Sequence, residues 1–176
     1  MPQASASILK GEGTLSAPAP DAKAITYNPA LAPTGAQLSA TMTPSGESTI
    51  AELTVSGMVP NRSYAVHAHT AACNVNPASA GPHYQNEVDP AATTQNPSTN
   101  PEYANPQNET WLDLRTDASG SGSDRRTVPF VFTDRGPASI VIHEAMQTAT
   151  HPGHAGEAGA RIACLTLSAA GFQPLS

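Results

Sequence analysis

Charge is scarce in this sequence, and positive charge is scarcest. Only 12% of the 176 residues are Asp, Glu, Lys or Arg, and eight Lys and Arg stand against 14 Asp and Glu, for a formal net charge of -6. The basic residues are scattered along the chain, which excludes the basic patch or stripe that holds nucleic acid. Long apolar runs are missing too. Nothing approaches the roughly 20 residues that span a bilayer, so no transmembrane segment is expected. The N-terminus, MPQASASILKGEG, lacks the apolar core of a signal peptide, so an exported form implies a leader removed ahead of this sequence. Cysteine is almost absent. Cys73 and Cys164 are an even pair in a chain rich in Asn and Thr, which fits an oxidising compartment, although two thiols alone could equally be buried and free.

What the chain does have is turn chemistry. Its 13 Gly and 17 Pro point to short strands joined by many turns rather than long amphipathic helices. The length bounds it to one domain, residues 1–176. Nine segments read as strands: 4–11, 24–29, 36–43, 49–57, 62–70, 110–116, 124–132, 138–144 and 161–168, with the turn DASGSGS at 117–123. Within the fourth, Ile50, Leu53 and Val55 give the imperfect period of two expected of a sheet with one wet face. The expectation is an all-β Greek-key barrel or sandwich of about eight antiparallel strands.

Two stretches break this pattern, residues 71–109, rich in Asn, Pro and Thr, and residues 144–160. Loops of that length in a compact domain are functional or pinned. They flank an unusual set of residues. In YAVHAHTAAC, His67 and His69 stand two apart in an apolar run, which on a strand puts both imidazoles on one face. A histidine in a strand is commonly half-buried and hydrogen-bonded to backbone, so the pair alone does not make a metal site. His83 follows in SAGPHY and His143 ends SIVIHE, and four imidazoles from strand ends and one loop suit Cu(II) or Zn(II).

In this order VHAHTAAC, SAGPHY, IVIHE and GEAGARIAC resemble the copper-zinc superoxide dismutases and their copper-only relatives, from about Ser63 to Leu167. The resemblance implies that His67, His69, His83 and His143 bind one copper ion per chain, with His83 in the bridging position, and that Cys73 bonds Cys164. It implies that Arg161, in GAR, attracts and orients the superoxide anion. The alternative for Arg161 is a surface ion pair with Glu157 or Glu144. The activity implied is copper-dependent disproportionation of superoxide by a secreted or cell-envelope protein, with a homodimer possible.

The departures from the family shape the expectation further. Zinc-binding members carry two more histidines and an aspartate in the loop after the bridging histidine, whereas this chain has no histidine between His83 and His143. Carboxylates alone, Glu87, Asp89, Glu102, Glu109 and Asp113, make a poor structural zinc site, so zinc is expected to be absent. His83 then needs another partner for its free nitrogen, with Glu109 or Glu102 the first candidates and Asp113 the third. The loop after His143 lacks the family's guiding lysines and carries His151 and His154 instead, either exposed loop residues or a secondary metal contact. Two competing readings remain at this stage: a copper-sequestering module with little turnover, and an adhesive β-domain whose histidines are incidental.

Overall fold

A computed structural model describes residues 5–174. The strands are β1 (Ser5–Thr14), β2 (Ala24–Thr26), β3 (Gln37–Ser45), β4 (Ser48–Ser56), β5 (Ser63–His69), β6 (Leu114–Arg115), β7 (Gly122–Val128), β8 (Ser139–His143), β9 (Arg161–Thr166) and β10 (Ser168–Pro174). They form two five-stranded sheets, β10-β1-β3-β4-β7 and β2-β9-β8-β5-β6, and every pairing between them is antiparallel. The all-β sandwich is therefore as expected. The barrel alternative is not, because the two sheets do not close on one another.

Strand ends shift by a few residues throughout, and three departures from the sequence reading shape the fold. The segment expected over 124–132 starts at Gly122 and stops at Val128, because Pro129 has no N–H to continue the ladder. Phe130 and Phe132 turn into the core beside Tyr84 instead. The segment 110–116 keeps only the two-residue β6, with Trp111 making an isolated bridge to His67. Finally, β10 pairs with β1 although SAAGFQP has no alternating apolar pattern.

Between the sheets lies the main core. Leu38, Ala40 and Met42 of β3, Leu53 and Val55 of β4, Tyr64, Val66 and Ala68 of β5, Ile140 and Ile142 of β8, and Leu165 of β9 are all buried there. Each large aliphatic side chain so placed stabilises the fold by about 1.5–3 kcal/mol. The second sheet also buries its outer face. Ile25, Cys73, Ala80, Val141 and Cys164 form a smaller cluster beyond it, with Cys73 and Ala80 contributed by the first long loop and Ala22 and Tyr27 packed against it.

The Asn-rich loop is held by its own side chains. Asn105 Oδ1 accepts from the N–H groups of Gln107 and Asn108. Asn108 in turn accepts from the Glu87 N–H and donates to the carbonyls of Glu87 and Tyr103. Such side-chain turns replace the ladder that a loop lacks. At its start, a short 3-10 helix, Pro77–Ala80, is capped by Asn76.

A disulfide joins Cys73 to Cys164 across a sequence separation of 91, with Cα atoms 5.8 Å apart. It ties the first loop to β9, and closing so long a loop stabilises the fold by about 2–5 kcal/mol in the chain-entropy account. Such a bond is typical of proteins outside the cytoplasm. Among the described residues, no helix is long and apolar enough to cross a membrane.

Candidate metal centre

The outer face of the second sheet places the histidines. Tyr64, Val66 and Ala68 point to the main core, so the alternate positions His67 and His69 point away from it. On the neighbouring strand β8, Ile140 and Ile142 face the core and His143 faces out, paired with Ala65 and so diagonal to His67. His83 arrives from the loop through an isolated bridge to His69. One donor atom from each of His67, His69, His83 and His143 lies within 4.8 Å of the others.

Hydrogen bonds decide which nitrogen each ring presents. His69 Nδ1 lies 2.9 Å from the Gly81 carbonyl oxygen and His143 Nδ1 lies 3.2 Å from that of Gly159. A carbonyl only accepts, so both Nδ1 atoms carry the proton and both Nε2 atoms present lone pairs. His83 Nδ1 likewise donates to Glu109 Oε1 at 2.8 Å, leaving its Nε2 free. His67 is the reverse. The Thr148 hydroxyl donates to the Asp113 carboxylate at 2.9 Å and so accepts from His67 Nε2–H at 2.7 Å. That leaves His67 Nδ1 as the lone pair, and it is buried with no hydrogen-bond partner.

Two features of this arrangement call for a cation. The lone pairs of His69 Nε2 and His143 Nε2 face each other at 3.3 Å, which is repulsive unless a positive ion lies against both. The orphaned His67 Nδ1 carries the desolvation cost of an unmade bond for the same reason. Burial, followed by the neighbouring imidazoles and Arg161, holds the pKa values of His67 and His69 well below the ordinary value, and burial first takes His143 down to about 3. His67, His69 and His143 are therefore neutral near pH 7, the state in which imidazole ligates a metal.

Glycines place two of the holding carbonyls. Gly81 has φ 73° and Gly159 has φ 76°, both in the left-handed region that L side chains rarely adopt. A Cβ at Gly159 would meet only the flexible Glu144 side chain, with Cγ at 2.7 Å, so it is the positive φ that favours glycine there. The second long loop covers the site, since a Cβ at Gly156 would lie 3.6 Å from the His83 ring.

The partner of His83 is Glu109, which is 1% exposed. The Trp111 indole donates to Oε1 of the same carboxylate at 2.8 Å and the Gln85 amide donates to Oε2 at 2.8 Å. Glu102 is exposed and takes no part. Asp113 belongs to the opposite side of the site, where it accepts from the Val66 N–H, the Thr148 N–H and the Thr148 hydroxyl.

Arg161 pairs with His143 in the ladder, because a bulge between Ile142 and His143 skips Ile162 and brings Arg161 to the outer face. Its Nη1 donates to the Pro77 carbonyl at 3.0 Å, and burial lowers its pKa from the usual guanidinium value. The carboxylates weighed as ion-pair partners are engaged elsewhere. Glu144 accepts from the Ala160 N–H and Glu157 from His154. His151 and His154 are exposed and stand apart from the quartet.

Thr148, Trp111, Gln85, Gly81 and Gly159 were not anticipated from the sequence. Trp111 and Gln85 each lie two residues from a singled-out side chain, Glu109 and His83, which is the signal for a shared strand face. Thr148 has no such signal. No family model matches the chain, and no curated protein matches it.

Proposed function

We propose that the chain is a copper-dependent superoxide dismutase of the kind its motifs resemble, working without zinc. The observation that carries this reading is the convergence of four imidazole nitrogens on one point, two of them facing each other at 3.3 Å. An all-nitrogen set suits Cu(II). Bound copper supplies the electron transfer, cycling between Cu(II) and Cu(I) so that two superoxide anions and two protons become dioxygen and hydrogen peroxide.

The rest is the work of the chain. His83 is the part-exposed member of the quartet, and Glu109 fixes its orientation by accepting the Nδ1 proton. In zinc-containing relatives a second metal holds that nitrogen; here the carboxylate does, braced by Trp111 and Gln85. Thr148 relays the Asp113 carboxylate to His67 and fixes that ring in the Nε2–H tautomer. Arg161, held by Pro77, supplies local positive charge beside His143. The disulfide supports an extracytoplasmic location, and secretion is part of this reading.

A second reading, copper sequestration with little turnover, draws support from the net charge of -6, which opposes the approach of an anion. Pulse radiolysis of the copper-loaded protein separates the two. Rapid azide-sensitive removal of superoxide is expected, and Arg161→Ala should lower the rate and its salt dependence while copper stays bound. Copper-loaded protein that does not remove superoxide faster than free buffer leaves only sequestration.

A further inference from the structure

The loop over the quartet carries two histidines that the quartet does not use. His151 and His154 are exposed, and their ring centroids lie 4.8 Å apart, within the range of 4.1 to 6.4 Å spanned by ring pairs inside the buried quartet. The backbone beneath them is pinned. The His154 N–H donates to the His151 carbonyl at 3.1 Å and the Glu157 N–H to the His154 carbonyl at 3.0 Å. Across the base of the loop, the Ala149 N–H donates to Glu157 O at 2.9 Å and the Gly156 N–H to Ala149 O at 2.8 Å. Bonds of the i to i+3 type bring residues three apart to one side, which is why positions 151, 154 and 157 meet.

Glu157 completes the arrangement. Its carboxylate oxygen lies 2.9 Å from His154 Nδ1, so it holds the proton there and turns the Nε2 lone pair outward, as carboxylates do behind metal-bound imidazoles. We propose that His151 and His154 are the ligands of a second, outer site for a divalent transition-metal ion, with Glu157 orienting His154 and contributing negative charge.

This site is weaker than the quartet. Among the described residues only the quartet groups three or more side chains that could hold a metal ion, and the exposed rings of the outer pair must be ordered as the ion arrives. Its position gives it a use. His151 lines a cleft of about 460 Å³ together with Trp111, Asp113, Gln147 and Thr148. Thr148 and Trp111 both touch His67, so an ion on the outer pair sits beside a cleft lined by side chains that frame the quartet. A role in delivery rests on the copper reading of the quartet; the outer site itself does not.

Calorimetric titration of the full chain with Cu(II) tests the site directly. The wild type should take up one tight and one weaker equivalent. His151→Ala/His154→Ala, both at exposed positions, should lose the weaker equivalent and keep the tight one, and Glu157→Gln should weaken it. Absence of a second equivalent in the wild type, or its survival unchanged in the double variant, overturns the proposal. His67→Ala/His143→Ala separates the two sites. A tight equivalent that persists there counts against the quartet alone, while the weaker equivalent is expected to remain.

Discussion

The two sheets differ in what covers them. In the first, β4 alternates buried and exposed positions along Ser48–Ser56, with one face on the core and one in water. In the second, β5 is buried from Tyr64 to His69 and β8 is buried throughout, because residues from the chain that follows each strand, among them Cys73, His83, Trp111 and Thr148, pack over its outer face. Of the two sheets, only that covered face carries the four clustered histidines. An imidazole on the wet face of the first sheet would titrate with solvent and be free to turn; on the covered face it is desolvated, held neutral and fixed by carbonyls and carboxylates. The covering loops are thus what fits a strand histidine to hold a metal ion.

The largest way to break this contrast is to remove a ligand. His143→Ala should abolish tight copper binding, read as copper per chain after dialysis against a chelator, with the sheet intact by circular dichroism. Next comes the tie between loop and sheet. Cys73→Ser/Cys164→Ser should lower stability by about 2–5 kcal/mol in denaturant unfolding, because the unfolded chain regains the freedom that the bond between loop and sheet removes.

Glu109→Gln probes the frame behind His83 rather than the loop as a whole. Loss of the carboxylate should reduce copper affinity or superoxide turnover by about 10- to 100-fold, while the tie between Cys73 and Cys164 remains. The smallest effects sharpen the comparison most cleanly. Val141→Ala, on the covered face, should cost about 2 kcal/mol by thermal or chemical unfolding. Ser39→Ala, on the wet face of β3, should change stability by less than about 0.5 kcal/mol. Equal costs at the two positions would mean that the outer face of the second sheet is no better packed than a surface.

Much of this was legible in the sequence because period two is a rigid rule. Val66 and Ala68 facing the core oblige His67 and His69 to face the other way, and Ile140 and Ile142 do the same for His143. Glu109 was legible as one of two first candidates, ahead of Asp113, but position along a 39-residue loop does not separate it from Glu102, and the Asn-built turns that bring Glu109 home leave no periodic trace. Thr148 was illegible for the same reason. Whether the sheets close was also beyond the pattern, since closure depends on how edge strands such as β6 and β7 meet. The strand β10 escaped notice because Ser, Ala and Gly carry little strand preference, and its place is set by pairing with β1.

The most direct test of the central claim is elemental analysis of the purified protein combined with electron paramagnetic resonance of its copper. The account predicts one tightly held copper per chain, without zinc, whose spectrum shows a four-nitrogen ligand set that changes in His143→Ala. Protein that retains no copper, or copper whose spectrum is the same in wild type and in His143→Ala, would contradict it.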